Sequence, residues 1–336
     1  MEKELLIIGS GPAGLRAGME AKKADIDYLI LDRGEVAQSW RDIRQDMPLL
    51  SPCLPQRDWT SISDEFPIWK FDVHRPFCFA HEFTDYLIKF SDHYNLNVST
   101  NTQVNSIDKY GDSFQISSNK GIFNSKIVLV ASGFFGNPYI PNIPGLRNNP
   151  VVMHSHQFKS HKPYQNKRVV IIGSGNSAAE TAIVLAGHAQ VYLLSQNELK
   201  FFSKTKNLCN IRGISESYLL ELIQMQIIRH IPNAKIKKVE GNSLYLDNKI
   251  IDAHHIICAT GYHADLSALT NLSFKVDEKT KFPHIKKTGE SASIENLFFA
   301  GPLAYTKISS LLIHGFIKLV PKTLDVISKR IIKELV

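Results

Sequence analysis

The sequence is short of the features that mark membrane, secreted or metal-clustered proteins. Across 336 residues there is no run of about 18 apolar residues, so no membrane-spanning helix is expected. The apolar start, residues 5–8, stops at Gly9 after one strand's length, too short for a secretory leader. Four cysteines, Cys53, Cys78, Cys209 and Cys258, form no Cys-x-x-Cys pair, which points to a reducing cytoplasm and away from a redox dithiol. The net charge is +7, but Lys and Arg gather in no single cluster. A solvated basic surface is expected and a nucleic-acid partner is not. His154, His156 and His161 alternate without a nearby Cys or carboxylate, so no metal site is expected and His154 is read as a positioning residue in a linker.

Hydrophobic residues make up 43% of the chain, enough for two cores. A strand at 4–8, a Gly-rich turn, a helix from Pro12 and a strand at 28–31 read as a βαβ unit. The same pattern returns at 169–172, 173–186 and 191–194. Between the two repeats lie Pro138, Pro141, Pro144 and Pro150, punctuation that marks a domain crossing. A basic amphipathic helix is expected from residue 316 to the end, docked on its own domain rather than on a membrane.

Each repeat carries a glycine fingerprint between strand and helix. In the first, Gly9, Gly11 and Gly14 are followed by Asp32 at the end of the next strand. The first glycine makes the tight turn, the second lets the backbone approach a pyrophosphate, and the third packs helix on strand. The helix N-terminus at Pro12 and Ala13 receives the pyrophosphate, and Asp32 has the spacing of a ribose ligand. In the second, Gly173, Gly175 and Ala178 repeat the plan, but the following strand ends in Ser195 and Gln196 with no acid. Lys200, Lys204 and Lys206 lie just beyond and could meet a 2′-phosphate, so NADH and NADPH both remain open. Two nicotinamide nucleotides have no chemistry together, so one site is expected to hold FAD.

The ordered set of motifs resembles the flavin-containing monooxygenase superfamily, in particular its compact bacterial members, over nearly the whole chain. The motifs are Gly9 to Gly14, Ser39-Trp40-Arg41, Ala131-Ser132-Gly133 with Pro138, Tyr139 to Gly145, His154-Ser155 with Phe158, Gly173 to Ala178, and Ala259-Thr260-Gly261-Tyr262. The resemblance implies an α/β fold of two Rossmann-like domains, with a nicotinamide domain (151–280) inserted into a split FAD domain (1–150 and 281–336). It implies FAD contacts from the first fingerprint, Asp32, Arg33, Ser39, Trp40, Val104, Ser132, Gly133 and Gly301, the last through its backbone because Pro302 follows. Asn176, Ser177, Ser195, Gln196, Thr260 and Gly261 would serve the nicotinamide nucleotide, and a homodimer is implied.

The activity implied is that NAD(P)H reduces FAD and that the reduced flavin with dioxygen forms a hydroperoxide, which oxygenates a small molecule with a soft sulfur or nitrogen nucleophile. Trp40 and Ser51 would face the flavin's reactive side, with Pro52 and Cys53 beside them. The loop Leu49-Leu50-Ser51-Pro52 holds no asparagine, which weighs against amine oxygenation, and Phe158-Lys159 weighs against ketone insertion. The alternatives are a flavin reductase of a disulfide or carrier protein, and a sensor that uses the dinucleotides structurally. Disulfide reductases that carry a cysteine in the first fingerprint differ here, where Ala13 stands. The aromatic segment Trp59, Phe66, Trp69, Phe71, Phe77 and Phe79 is read equally well as a substrate pocket or as packing under a loop.

Overall fold

The computed structural model describes residues 1–71, 73–278, 281–306 and 311–335, with the side chains of 333–335 outside that description. The chain divides into two compact units. The first comprises Met1–Arg41, Gln45–Asn137 and His263–Val336, and the second Asp42–Arg44 and Pro138–Tyr262. The domain crossings thus fall at 137/138 and 262/263, earlier than the 150/151 and 280/281 read from the sequence. The prolines from Pro138 onward belong to the second unit because Pro138 bridges to Tyr262 and Tyr139 N–H donates to Gly261 O at 2.9 Å.

The first unit opens with β1 (Glu2–Ile8), α1 (Pro12–Lys23), β2 (Tyr28–Leu31) and the short α2 (Gln38–Arg41). The hairpin β3 (Cys53–Leu54) and β4 (Arg57–Asp58) leads to α3 (Ala80–His93), β5 (Val98–Ser99) and the meander β6 (Val104–Tyr110), β7 (Ser113–Ser118) and β8 (Gly121–Val130). Residues 5–8 and 28–31 are continuous apolar runs, the signature of parallel strands covered on both faces. The sheet order is β5-β2-β1-β8-β7-β6, with β5, β2, β1 and β8 parallel and β6 and β7 antiparallel.

The second unit contains β9 (Val152–His154), β10 (Arg168–Ile172), α4 (Asn176–Ala186), β11 (Gln190–Leu194), α5 (Phe202–Thr205), α6 (Ile214–Gln224) and β12 (Ile228–Ile231). A three-stranded antiparallel layer follows, β13 (Ile236–Glu240), β14 (Ser243–Leu246) and β15 (Ile250–Asp252), and then β16 (His255–Cys258). Its main sheet is parallel throughout in the order β12-β11-β10-β16-β9. The chain then returns to the first unit with β17 (Leu297–Phe299), parallel to the end of β8, followed by α7 (Ile313–Phe316) and α8 (Val320–Leu335). Val320, Leu324 and Ile327 of α8 are buried, and Arg330 ion-pairs with the buried Glu290, so the basic helix docks on its own unit. No described helix is long and apolar enough to cross a membrane.

Candidate functional site: two nucleotide cradles

The first cradle is the turn from β1 to α1. Gly9 adopts φ +108°, where an added Cβ would lie 2.7 Å from Ala131 O, and a Cβ on Gly14 would sit 1.8 Å from Gly9 O. Both glycines are therefore fixed by packing. Gly11 is different, because nothing lies within 4 Å of a Cβ built there. That open side, over the N-terminus of a 12-residue helix with Pro12 and Ala13 in its first turn, is the shape an approaching pyrophosphate needs. Gly301 closes the turn from behind, its Cβ position 3.1 Å from Ala13 Cβ.

Asp32 is buried at the end of β2. Its Oδ2 accepts from Ser10 N–H (2.6 Å) and Ser10 Oγ–H (2.7 Å), and its Oδ1 accepts from Gly34 N–H (3.0 Å). The carboxylate thus orders the glycine turn itself, a role that the spacing does not reveal. Arg33 is exposed and lies across Gly136, where a Cβ would come 2.3 Å from its Nη2. Trp40 of α2 stands edge-on to Phe83 (4.6 Å, 73°) and Phe135 (5.9 Å, 80°). Ser39 and Gly133 are half-buried, Ser132 is exposed, and Val104 is buried at the start of β6. Ser51 is buried just before β3, its carbonyl accepting from Thr60 Oγ–H at 3.0 Å, and no hydrogen bond among the described residues joins it to Trp40. Within the aromatic segment, Phe66 packs against Phe71, Tyr86, Phe90 and His93 at 4.4 to 6.1 Å.

The second cradle repeats the geometry at the turn from β10 to α4. A Cβ on Gly173 would lie 2.3 Å from Ala259 O, whereas one on Gly175 meets nothing within 4 Å. Asn176, the first residue of α4, ties this turn to a loop that sequence reasoning passed over. Its Nδ2 donates to Asn210 O (3.1 Å) and Cys209 O (3.4 Å), and its Oδ1 accepts from Arg212 N–H (3.2 Å). Arg212 is buried, and its Nε–H has no hydrogen-bond partner. An orphaned buried cation donor beside a helix N-terminus fits an anionic phosphate. Burial pulls the Arg212 guanidinium down from its usual range, and burial pushes the carboxyl of Glu180, on the same helix, up to about 7 against the pull of Arg44 and Arg212. The only signal for Arg212 in the sequence was an arginine ahead of Gly213 and a helix, a pattern too common to single out.

Ser195 was read as a nucleotide contact, but its hydroxyl is 2% exposed and is spent internally, donating to Asn197 O (2.7 Å) and pairing with His230 Nε2 (2.8 Å). Gln196 and Ser177 are exposed, as are Lys200, Lys204 and Lys206. Thr260 Oγ–H donates to Tyr139 O at 2.5 Å, and Gly261 O accepts from Tyr139 N–H and from His154. His154 is 1% exposed. Its Nδ1 accepts from His156 N–H (3.1 Å), which leaves the proton on Nε2 to bond Gly261 O (3.0 Å). Burial lowers its pKa to about 4, so the neutral tautomer clips β9 to the turn after β16. His161 instead stacks on His188 at 3.7 Å, apart from this clip.

Two phosphate cradles built on the same plan, each at a strand-to-helix turn of a parallel sheet, are on hand when the chain is set beside known proteins. Residues 6–301 match the pyridine nucleotide-disulphide oxidoreductase family. The chain belongs to that family. An uncharacterized oxidoreductase, CzcO, of Bacillus subtilis is 25% identical over 93% of this chain and 95% of its own length. Among solved structures, the bacillithiol disulfide reductase of Staphylococcus aureus superposes with a TM-score of 0.87 at 24% identity, covering 98% of this chain and 99% of that one. A flavin-containing monooxygenase of Stenotrophomonas maltophilia gives 0.84 at 19% identity, with the same coverage. At these identities the structures establish the shared fold of two dinucleotide-binding domains, as the sequence motifs implied, and leave the reaction to the chemistry of the site.

Proposed function

We propose that this oxidoreductase holds FAD in the first cradle and NADH or NADPH in the second, and that it acts as a monooxygenase on a small molecule with a soft sulfur or nitrogen nucleophile. The observation that carries the two-nucleotide reading is the pair of open glycines, Gly11 and Gly175, each facing free space over a helix N-terminus where a Cβ would fill the cradle. FAD, when bound, supplies the step between two-electron reduction by the nicotinamide and reaction with dioxygen.

The chain's own residues bind and orient. Asp32 holds Ser10 and the glycine turn in the shape that presents N–H groups to the FAD pyrophosphate. Gly301 and Ala13 form the floor of that turn, and Trp40 stands edge-on to Phe83 and Phe135. Arg212 and Asn176 present a guanidinium and a helix N-terminus to the phosphates of the nicotinamide nucleotide. The monooxygenase branch is favoured over disulfide reduction by Ala13, an inert methyl packed on Gly301 in the first fingerprint.

The test is turnover of a thioether with NAD(P)H under ¹⁸O₂. One labelled oxygen in the sulfoxide, with NAD(P)H consumed in proportion, is expected. NAD(P)H oxidation that needs a disulfide and proceeds without oxygen would overturn the monooxygenase reading and leave the two nucleotide sites standing.

A further inference from the structure

Gly301, the floor of the first cradle, lies two residues past β17, a strand of three residues. A strand that short defines its own register weakly, and a slip of one residue would turn every side chain to the opposite face. One edge of β17 is held by β8, with Leu297, Phe298 and Phe299 opposite Val128, Leu129 and Val130. The other edge is held by residues 289–291. Ser291 N–H donates to Leu297 O (2.7 Å), Phe299 N–H donates to Gly289 O (2.8 Å), and Glu290 bridges Phe298.

The Glu290 side chain, in a residue 1% exposed, accepts at Oε1 from the N–H of Asn296, the residue immediately ahead of β17 (3.2 Å). Arg330 of α8 closes on this carboxylate as a fork, Nη1 donating to Oε1 (2.5 Å) and Nη2 to Oε2 (3.0 Å). The same Nη1 donates to Asn296 Oδ1 (2.7 Å), and the guanidinium carbon stands 5.3 Å from the centre of the Phe298 ring. Two helical turns earlier, on the same face of α8, the buried Thr323 donates its hydroxyl to Thr288 O (2.8 Å). Thus α8 grips the segment beside β17 at both of its ends. Neither Glu290 nor Arg330 hydrogen bonds to the glycine turn among the described residues.

We propose that Arg330 and Glu290 are positioning residues for the flavin site: they fix the register of β17, and with it the place of Gly301 beneath Ala13, and so set the affinity of the first cradle for FAD. This inference rests on the reading that FAD occupies that cradle. The tolerance at the floor is narrow, because a Cβ on Gly301 would already stand 3.1 Å from Ala13 Cβ and the residue itself is left-handed, φ +69°. A shift of β17 either presses on the first turn of α1 or withdraws from it, and both re-aim the N–H groups that meet a pyrophosphate. The fork is the operative feature: a lysine at 330 is a point charge without the planar fork, and a methionine holds neither carboxylate oxygen.

The experiment follows FAD release from the diluted, full-length holoprotein, by the rise of free-flavin fluorescence, in wild type, Arg330→Lys and Arg330→Met. Release is expected to be at least about tenfold faster from Arg330→Met, with Arg330→Lys in between, while the affinity of the second cradle for NADP⁺ stays unchanged. A folded Arg330→Met protein that releases FAD within about twofold of the wild-type rate would overturn the proposal and reduce the pair to an anchor for α8. So would equal losses of FAD and NADP⁺ affinity, which would mark a general loosening of the chain. If Arg330→Met does not fold, hydrogen exchange in the wild type decides. Coupling between β17 and the flavin is reciprocal, so removing FAD should speed exchange at the Asn296, Phe299 and Ala300 amides, and unchanged rates would overturn the proposal. A wild-type protein that binds no FAD at all would instead overturn the reading of the first cradle.

Discussion

One carboxylate oxygen of Asp32 receives both the backbone N–H and the hydroxyl of Ser10, at 2.6 and 2.7 Å, while the other receives Gly34 N–H. The acid at the end of β2 is thus the keystone of the glycine turn before any nucleotide arrives. Replacing Asp32 with Ala leaves the buried Ser10 N–H and the part-buried Gly34 N–H unmatched, at a cost of ~2 kcal/mol. The expected outcome is loss of bound flavin on purification, read from visible absorbance, together with a lower melting temperature. A variant that keeps its flavin and its melting temperature would refute this role.

Gly11 and Gly14 should separate binding from folding. Gly14→Ala forces a methyl to within 1.8 Å of Gly9 O and should leave the first unit unfolded or unstable. Gly11→Ala meets no protein atom, so the chain should fold with a normal circular dichroism spectrum and melting curve, yet bind FAD at least about tenfold more weakly. Equal damage from both changes would show that Gly11 is not a nucleotide position.

Arg212 should set phosphate affinity. Losing one charge-assisted contact costs ~1.5–3 kcal/mol, so Arg212→Gln should weaken NADP⁺ binding roughly 10- to 100-fold. Calorimetric titration of NADP⁺ and NAD⁺ against the oxidised protein gives the readout. An equal loss for both nucleotides assigns Arg212 to the shared pyrophosphate, and a loss confined to NADP⁺ assigns it to the 2′-phosphate. Unchanged affinity for both would remove Arg212 from the site.

His154 makes stability depend on acidity. Its folded pKa, about 4, lies below the ordinary value of 6.5, so the unfolded chain takes up a proton first as pH falls. The stability it supports is full above pH 6.5 and is lost as the pH drops through 4, by up to ~3 kcal/mol. Glu180, raised to about 7, acts in the opposite sense: its contribution falls as pH rises from 4.5 through 7. The measurement is therefore the difference between wild type and His154→Gln in urea unfolding at several pH values. That difference should shrink between pH 6.5 and 4. A constant difference would mean that His154 takes a proton without leaving Gly261.

Much of this architecture is written in local pattern. The apolar runs ending at Ile8 and Ile172, each feeding directly into a glycine turn, make both strand-to-helix cradles legible because strand, turn and helix are contiguous. Asp32 was legible for its spacing, but its grip on Ser10 was not, since a spacing rule names a ligand and says nothing of a second partner. The internal bonding of the Ser195 hydroxyl was not legible, because sequence cannot reveal that His230, from a neighbouring strand, pairs with it. Arg212 was hidden for the same reason: it acquires meaning from Asn176, brought to it by tertiary pairing. β9 and β12 escaped because His154, and Arg229 with His230, break their short apolar runs, whereas the equally short β2 is unbroken.

The contact of Gly301 with Ala13 has a consequence for synthesis. A turn encoded in the first fourteen residues acquires its floor only after some three hundred have been made, because β17 must pair with β8 before Gly301 can settle. On the ribosome the β1-α1-β2 unit therefore waits, half-walled, until the intervening chain and β17 have been made. Flavin capture should then be a late event in the life of the nascent chain, and truncations before β17 should emerge colourless however well their N-terminal fingerprint is preserved.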